Sequence, residues 1–305
     1  MMLKRQAFEE QVRLLVRVLP YVARETDFAL KGGTAINFFL RDMPRLSVDI
    51  DLAYLPLEPR ETALPKIRAA LARIGEQLMA SSPAIATIDP PAVRENELRL
   101  LIRHGRTQVK LELSPVLRGT VFPPETRTIG PAVENAFGYA EMQVLSHADL
   151  YAGKICAALD RQHPRDLFDI KLLLENEGVD RKLIDAFLVY LISHNRPIAE
   201  LLAPNPKDVK YTYEAEFAAM TALPPTLEDL YQARGDLLQR IHESLTEKDR
   251  AFLISVKSGD PDWSLLNTPN AEQLPAVQWK LQNIRRMTKD RRNEALARLR
   301  IVLGA

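Results

Sequence analysis

The sequence predicts an α+β fold, a small mixed sheet with helices packed on it followed by a helical domain, and three observations carry that reading. Apolar patterns in the first part run helix, strand, helix, strand, helix, strand, strand. The last two strands are separated only by His104-Gly105-Arg106, the length of a tight hairpin, and a turn that short joins antiparallel strands, so the sheet is not all parallel. Beyond about Glu141 every apolar pattern has helical spacing.

Along the chain, Phe8, Val12, Leu15, Val16 and Leu19 recur at spacings of three and four and predict a core-facing helix over residues 5–24. A short strand over 28–30 runs into the break Lys31-Gly32-Gly33-Thr34. Ala35 to Arg41 reads as a short helix that Pro44 ends, and Ser47 to Tyr54 as a strand. That strand puts Val48, Ile50 and Leu52 on one face and Ser47, Asp49 and Asp51 on the other. Residues 58–79 have helical spacing, with Pro59 near the first turn, where a missing amide costs least. The proline-rich residues 83–92 read as a connection or edge strand, and 98–103 and 107–113 as the hairpin. Residues 115–138 are irregular and rich in proline and glycine. They divide a first domain, 1–138, from a second, 139–305, with helices expected over 147–160, 166–177, 181–194, 226–246 and 271–303. There is no internal repeat and no low-complexity tract.

A length of 305 residues suits two domains, each able to bury its own core. With 46% apolar and 27% charged residues, the chain is neither a disordered tail nor collagen-like. One cysteine excludes an intramolecular disulfide, a zinc ribbon and a CxxC redox pair, and fits a reducing cytoplasm. The N-terminus lacks the apolar run of a signal peptide, and nowhere do about 18 apolar residues run together, so no membrane span is expected. The net charge of +1 hides an asymmetry, because residues 279–305 carry eight basic and two acidic residues. Such an end suits a polyanionic partner, although a solvated basic helix reads the same way.

The chemistry-bearing residues begin with the aspartates. Asp49 and Asp51, two apart on a strand, point the same way and repel each other without a cation between them. Magnesium prefers oxygen ligands and commonly takes one or two carboxylates plus substrate phosphates, so the pair reads as a divalent-metal site; a wet strand face is the other reading. Gly32, Gly33 and Thr34 fall between a strand and a helix, where backbone amides are able to approach a phosphate. Glycine is scarce, 12 in the whole chain, which makes a paired occurrence informative, although a plain turn uses the same residues. The pattern GxxxxGK[ST] is absent, so this is not a Walker-type loop. On the hairpin, Gln108, Lys110 and Glu112 share a face; beside the aspartate strand, Glu112 would complete a three-carboxylate cluster, with Lys110 as its neutralising neighbour. Elsewhere, the five histidines show no HxxxH or HExxH spacing, and no GxSxG is present. Cys156 reads as a small core residue, and Trp279, Ile284 and Met287 as packing positions. Lys280, Arg285, Arg286, Lys289, Arg291 and Arg292 are candidate contacts to RNA phosphates or a solvated face.

Taken together, the run LKGGTAINFFLRDMPRLSVDIDLAY, a diglycine followed by RxSxDxD, resembles the signature of the AbiEii-type nucleotidyltransferase toxins of type IV toxin-antitoxin and abortive-infection systems, which include the MenT enzymes. DLYAGKICAALDRQHPRDLFDI is similar to that family's second block, a helix lysine followed by RDxxD, and LPAVQWKLQNI extends the likeness towards the C-terminus. The resemblance implies a nucleotidyltransferase-like sheet domain, with the helical domain completing the active-site cleft. It implies that Gly32, Gly33 and Thr34, with Ser47, bind the nucleotide's phosphates and that Asp49 and Asp51 hold Mg2+. It further implies that Lys154 contacts the triphosphate and that Asp166 supports that site or acts as a base. Glu112 stands where an aspartate is expected, one methylene longer.

From spacing alone the second block stays open. Lys154 lies in an amphipathic helix, where a lysine amine usually reaches water. Asp166 suits a helix N-terminus, and Arg165 a carboxylate partner. The expectation is a magnesium-dependent enzyme that transfers a nucleoside monophosphate from an NTP to an acceptor hydroxyl. By the resemblance, the acceptor is the 3′ end of tRNA, growth arrest follows, and an antitoxin is encoded nearby. Transfer to a protein or small molecule is the rival within enzymology, and a non-catalytic nucleotide- or RNA-binding module the rival outside it.

Overall fold

The computed structural model describes residues 2–82, 84–88 and 98–305. They form two compact units. The first runs to Ser146 and takes back Ala218–Pro224; the second comprises His147–Phe217 and Pro225–Ala305.

The first unit is built on a seven-stranded mixed sheet in the order β3-β4-β5-β2-β1-β7-β6. Its elements are α1 (Met2–Val22), β1 (Phe28–Lys31), a single helical turn α2 (Gly32–Thr34) that widens into a π-helix (Ala35–Leu40), β2 (Asp49–Tyr54), α3 (Arg60–Ser81), β3 (Ile85–Ile88), β4 (Leu98–His104), β5 (Thr107–Leu113), β6 (Glu125–Thr128), α4 (Pro131–Phe137) and β7 (Glu141–Val144). β2 runs parallel to β5 and antiparallel to β1, while β4 and β5 form the expected antiparallel hairpin. Register aligns Leu30, Leu52, Leu113 and Leu98 across four strands, and Ile50 with Leu111 and Leu100; all are buried. α1 packs on β5 and β7 and α3 on β3 and β4, as their apolar stripes require. The neighbouring register positions are polar: Lys31, Asp51, Glu112 and Arg99 form one row, and Asp49 pairs with Lys110 in the next.

Three details depart from the sequence reading, and a fourth agrees with it. The short helix after the diglycine is mostly π-helical, with the Arg41 amide donating to the Ile36 carbonyl. The strand begins at Asp49 rather than Ser47, because the Leu46 amide is already bonded to the Met220 carbonyl and the Ser47 hydroxyl to Thr34. Of the proline-rich stretch, 85–88 is indeed an edge strand; residues 83 and 89–92 lie outside the described residues. The segment read as irregular contains β6 and α4, and β7 follows, pairing Leu30 with Val144, so the first unit continues to Ser146 rather than ending at 138.

The second unit is helical: α5 (His147–Asp160), α6 (Pro164–Asn176), α7 (Arg181–Ser193), α8 (Ile198–Leu202), α9 (Lys210–Thr212), α10 (Leu227–Ser244), α11 (Glu247–Ser258), α12 (Pro275–Arg285) and α13 (Lys289–Leu303). α5 packs on α7 and α6 on α10. Thr226 and Thr246 each begin a helix with a reciprocal capping box, closed by Asp229 and Asp249. The second box starts α11, a helix absent from the sequence reading, and the single helix expected over 271–303 is two, separated around Met287 and Thr288.

Candidate active site

The diglycine bend and the aspartate strand meet at β1 and β2. Gly32 has φ +73°, and a Cβ on it would stand 2.5 Å from Oδ2 of Asp51. Both conditions demand glycine: the left-handed backbone, and a carboxylate that occupies the side-chain position. Gly33 has no such backbone; a Cβ there would stand 2.8 Å from Arg45 Nη2 and 3.0 Å from Ser47 Oγ, side-chain ends that would have to shift. Thr34 donates its hydroxyl to the Asp49 carbonyl at 2.6 Å and lies 3.0 Å from the Ser47 hydroxyl. Asn37 donates from Nδ2 to the Gly33 carbonyl at 2.9 Å, fixing the far side of the bend. The structure thus brings Gly32, Gly33, Thr34, Ser47, Asp49 and Asp51 into one neighbourhood.

Glu112 is the neighbour of Asp51 in register, as the hairpin reading requires, but its carboxylate is bonded to Lys110 at 2.9 Å. Among the described residues no three His, Cys, Asp or Glu side chains are placed to hold a metal ion, so the expected three-carboxylate cluster is not formed. Two carboxylates remain on the strand face. Burial opposes the Lys110 charge, yet Glu112, with Asp49 and Asp51, raises its pKa above the ordinary lysine value. Lys110 is therefore the neutralising cation that its position suggested.

The second constellation lies within the helical unit. Lys154 on α5 is 6% exposed, and its amine is 2.8 Å from Asp166 and 3.0 Å from Asp169, both on α6 and both fully buried. Arg161, 58% exposed, reaches Asp166 from the other side with Nε at 2.5 Å and Nη2 at 3.0 Å. Burial by itself would raise the Asp166 pKa, but Lys154 and Arg161 outweigh it and hold the carboxyl far below the usual range. So Lys154 does not reach water: its buried amine pairs with two buried carboxylates, one of which Arg161 also reaches from the surface. His163 caps α6, accepting from the Arg165 amide at 3.1 Å, and burial lowers its pKa. Cys156 is buried, which raises its thiol pKa and keeps it the unreactive thiol expected of a core residue.

Two positions on the basic C-terminal segment need correction. Lys280 is buried and donates to the carbonyls of His194, Asn195 and Arg196 at 2.5, 3.3 and 2.7 Å, closing the end of α7. Burial, reinforced by Lys257, lowers its amine to about 8, and its protons go to those carbonyls rather than to a polyanion. Trp279, expected to pack, is 42% exposed, whereas Ile284 is buried. Arg285, Arg286, Lys289 and Arg291 are exposed.

Residues that the sequence reading passed over are Arg45 and Asn37. Arg45 stands first in RxSxDxD, and its spacing from the aspartates was the available signal. Asn37 had none beyond its place in the turn after the bend.

Paired carboxylates against a bend stripped of side chains, on a mixed sheet, are what an enzyme that moves nucleotides requires, and the class follows: this is a nucleotidyltransferase. The model of the family described as nucleotidyl transferase AbiEii toxin, type IV TA system, matches residues 13–283, and the chain belongs to that family. Its activity is accordingly NTP-dependent nucleotidyl transfer by a toxin, and an antitoxin is the partner that the family implies. In fold the chain is similar to MenT4, nucleotidyltransferase toxin Rv2826c from Mycobacterium tuberculosis H37Rv, at TM-score 0.60 and 12% identity, over 97% of this chain and 93% of that one. No curated protein matches the chain. Among the described residues no helix is long and apolar enough to cross a membrane.

Proposed function

We propose that this toxin acts in the cytoplasm and transfers a nucleoside monophosphate from an NTP to the 3′ end of tRNA, with Mg2+ held by Asp49 and Asp51. The observation that carries the reading is the contact of the diglycine bend with the aspartate pair: oxygen donors of the kind magnesium prefers stand against backbone that carries no side chains. When bound, the ion would polarise the α-phosphoryl group and offset the charge of the phosphates.

Every other contribution comes from the chain. Gly32, Gly33, Thr34 and Ser47 seat the phosphates, while the Lys154 amine is engaged by Asp166 and Asp169 inside the helical unit. Asp166 receives the supporting role rather than that of a base, because a carboxyl held ionised by two cations is a poor proton acceptor. Nucleotidyl transfer then forms a bond between the acceptor oxygen and the α-phosphorus, breaks the bond from that phosphorus to the bridging oxygen, and releases pyrophosphate, the acceptor hydroxyl giving up its proton to solvent. Arg285, Arg286, Lys289 and Arg291 are assigned to RNA phosphates.

Incubation of the purified chain with magnesium, each labelled NTP and total tRNA tests this. Label on tRNA is the expected result. Label on protein or a small molecule would reassign the acceptor, and saturable NTP binding without transfer would make the chain a binding module.

A further inference from the structure

Lys31 stands directly before the diglycine bend, and neither the fold nor the reading above uses its charge. It ends β1, an interior strand paired with β2 and β7, whose other three residues, Phe28, Ala29 and Leu30, are buried. Its register partner on β2 is Asp51. Residues directly opposite in an antiparallel pair send their side chains to the same face of the sheet, so Lys31 lies on the face that carries Asp51. Both are only partly buried, as are Gly32 and Gly33. The Lys31 side chain makes no hydrogen bond or ion pair among the described residues.

A triphosphate with one divalent ion remains an anion, and Asp49 and Asp51 add like charge beside it, so seating it at the bend requires a cation from the chain. The other cations met so far are engaged elsewhere. Lys110 is bonded to Glu112 at 2.9 Å, Arg45 is buried and donates to the Leu46 carbonyl, and Lys154 is held by Asp166 and Asp169 within the helical unit. Lys31 is next to the bend in the chain, opposite Asp51 in the sheet, and unengaged. A lysine amine is a compact charge on a flexible stem, suited to meeting phosphate oxygens without a fixed geometry. We propose that Lys31 binds the triphosphate of the NTP at the diglycine bend. This rests on the nucleotidyl-transfer reading and names, within it, the side chain that meets the charge of the phosphates.

The test is calorimetric titration of the intact chain, over a series of magnesium concentrations, with ribonucleoside triphosphates carrying a methylene bridge between the α- and β-phosphorus, which bind without being consumed. Lys31→Gln is expected to weaken binding of the preferred triphosphate by about tenfold or more and to flatten its salt dependence, because a charge-assisted contact to phosphate is lost. Lys31→Arg keeps the charge and should bind within about threefold of the wild type. The melting temperature should stay within about 2 °C in both, since the side chain holds no part of the fold together. Unchanged affinity in Lys31→Gln overturns the proposal, and so does a loss that Lys31→Arg shares in full or that comes with a fall in melting temperature. A loss that disappears as magnesium is raised overturns it too, because the lysine would then act on Asp51 and not on the phosphates. A wild-type chain that binds no triphosphate overturns the nucleotidyl-transfer reading itself, an outcome distinct from wild-type binding that Lys31→Gln leaves intact.

Discussion

The carboxylate of Asp51 occupies the place a side chain on Gly32 would need: Oδ2 lies 2.5 Å from the position of a Cβ on that glycine, whose φ is +73°. Bend and acid are thereby one unit. A methyl group at Gly32 meets both a strained backbone and the acid, so Gly32→Ala should lower stability by about 1–3 kcal/mol and nucleotidyl transfer on the order of 100-fold. Denaturant titration beside the labelled-NTP assay reads both; a variant as active as the wild type would detach the bend from the site.

Asp49→Ala and Asp51→Ala remove the oxygens proposed to hold the metal and, with them, a like charge from the strand face. Transfer should fall on the order of 10³-fold in each, while the melting temperature stays close to that of the wild type. Glu112→Gln tests the opposite case. Its carboxylate is committed to Lys110, and the loss should be within about tenfold.

Lys154→Met removes the amine from between Asp166 and Asp169, both fully buried, and should destabilise the chain by about 3–5 kcal/mol. Equilibrium unfolding in urea measures it, and a shift below about 1 kcal/mol would show that the network is not what holds α5 to α6.

Acid sensitivity follows from the same network. The folded-state pKa of Asp166 is depressed, so its ionised form contributes stability that is fully present above the unfolded value near 3.8 and is lost as the pH falls from there towards the folded value. Asp166→Asn should therefore flatten the stability profile below about pH 4. An unchanged acid limb in that variant would argue against the ion pair.

Lys280→Met distinguishes a capping lysine from an RNA-binding one. Three carbonyls lose their donor, and a loss of about 1–3 kcal/mol is expected, with the salt dependence of RNA binding unchanged. Arg285→Gln combined with Arg286→Gln should do the reverse, reducing the steepness of that salt dependence and leaving the stability nearly unaltered.

Local periodicity was enough to read the helix bearing Val12 and Leu15, the strand bearing Asp49 and Asp51, and the hairpin that ends at Glu112, because alternation and helical spacing are properties of neighbours in the chain. β6 was not legible. Its four residues, Glu125–Thr128, are polar, three of them exposed, and carry no alternation, so they are strand only because β7 offers them a partner. α11 had a capping threonine and an aspartate three residues on, a local signal, but its apolar spacing is short.

By itself the sequence determined the order of elements as far as the hairpin, the mixed sheet, and the presence of an aspartate pair after a diglycine, since each is written in the spacing of adjacent residues. Tertiary structure alone decided where the charges go: Glu112 to Lys110, Lys154 into a buried network with Asp166 and Asp169, Lys280 onto the end of α7, and Arg45 onto Gly33. Those outcomes depend on which distant groups share a low-dielectric neighbourhood, and charge pairing across such distances leaves no periodic trace in the chain.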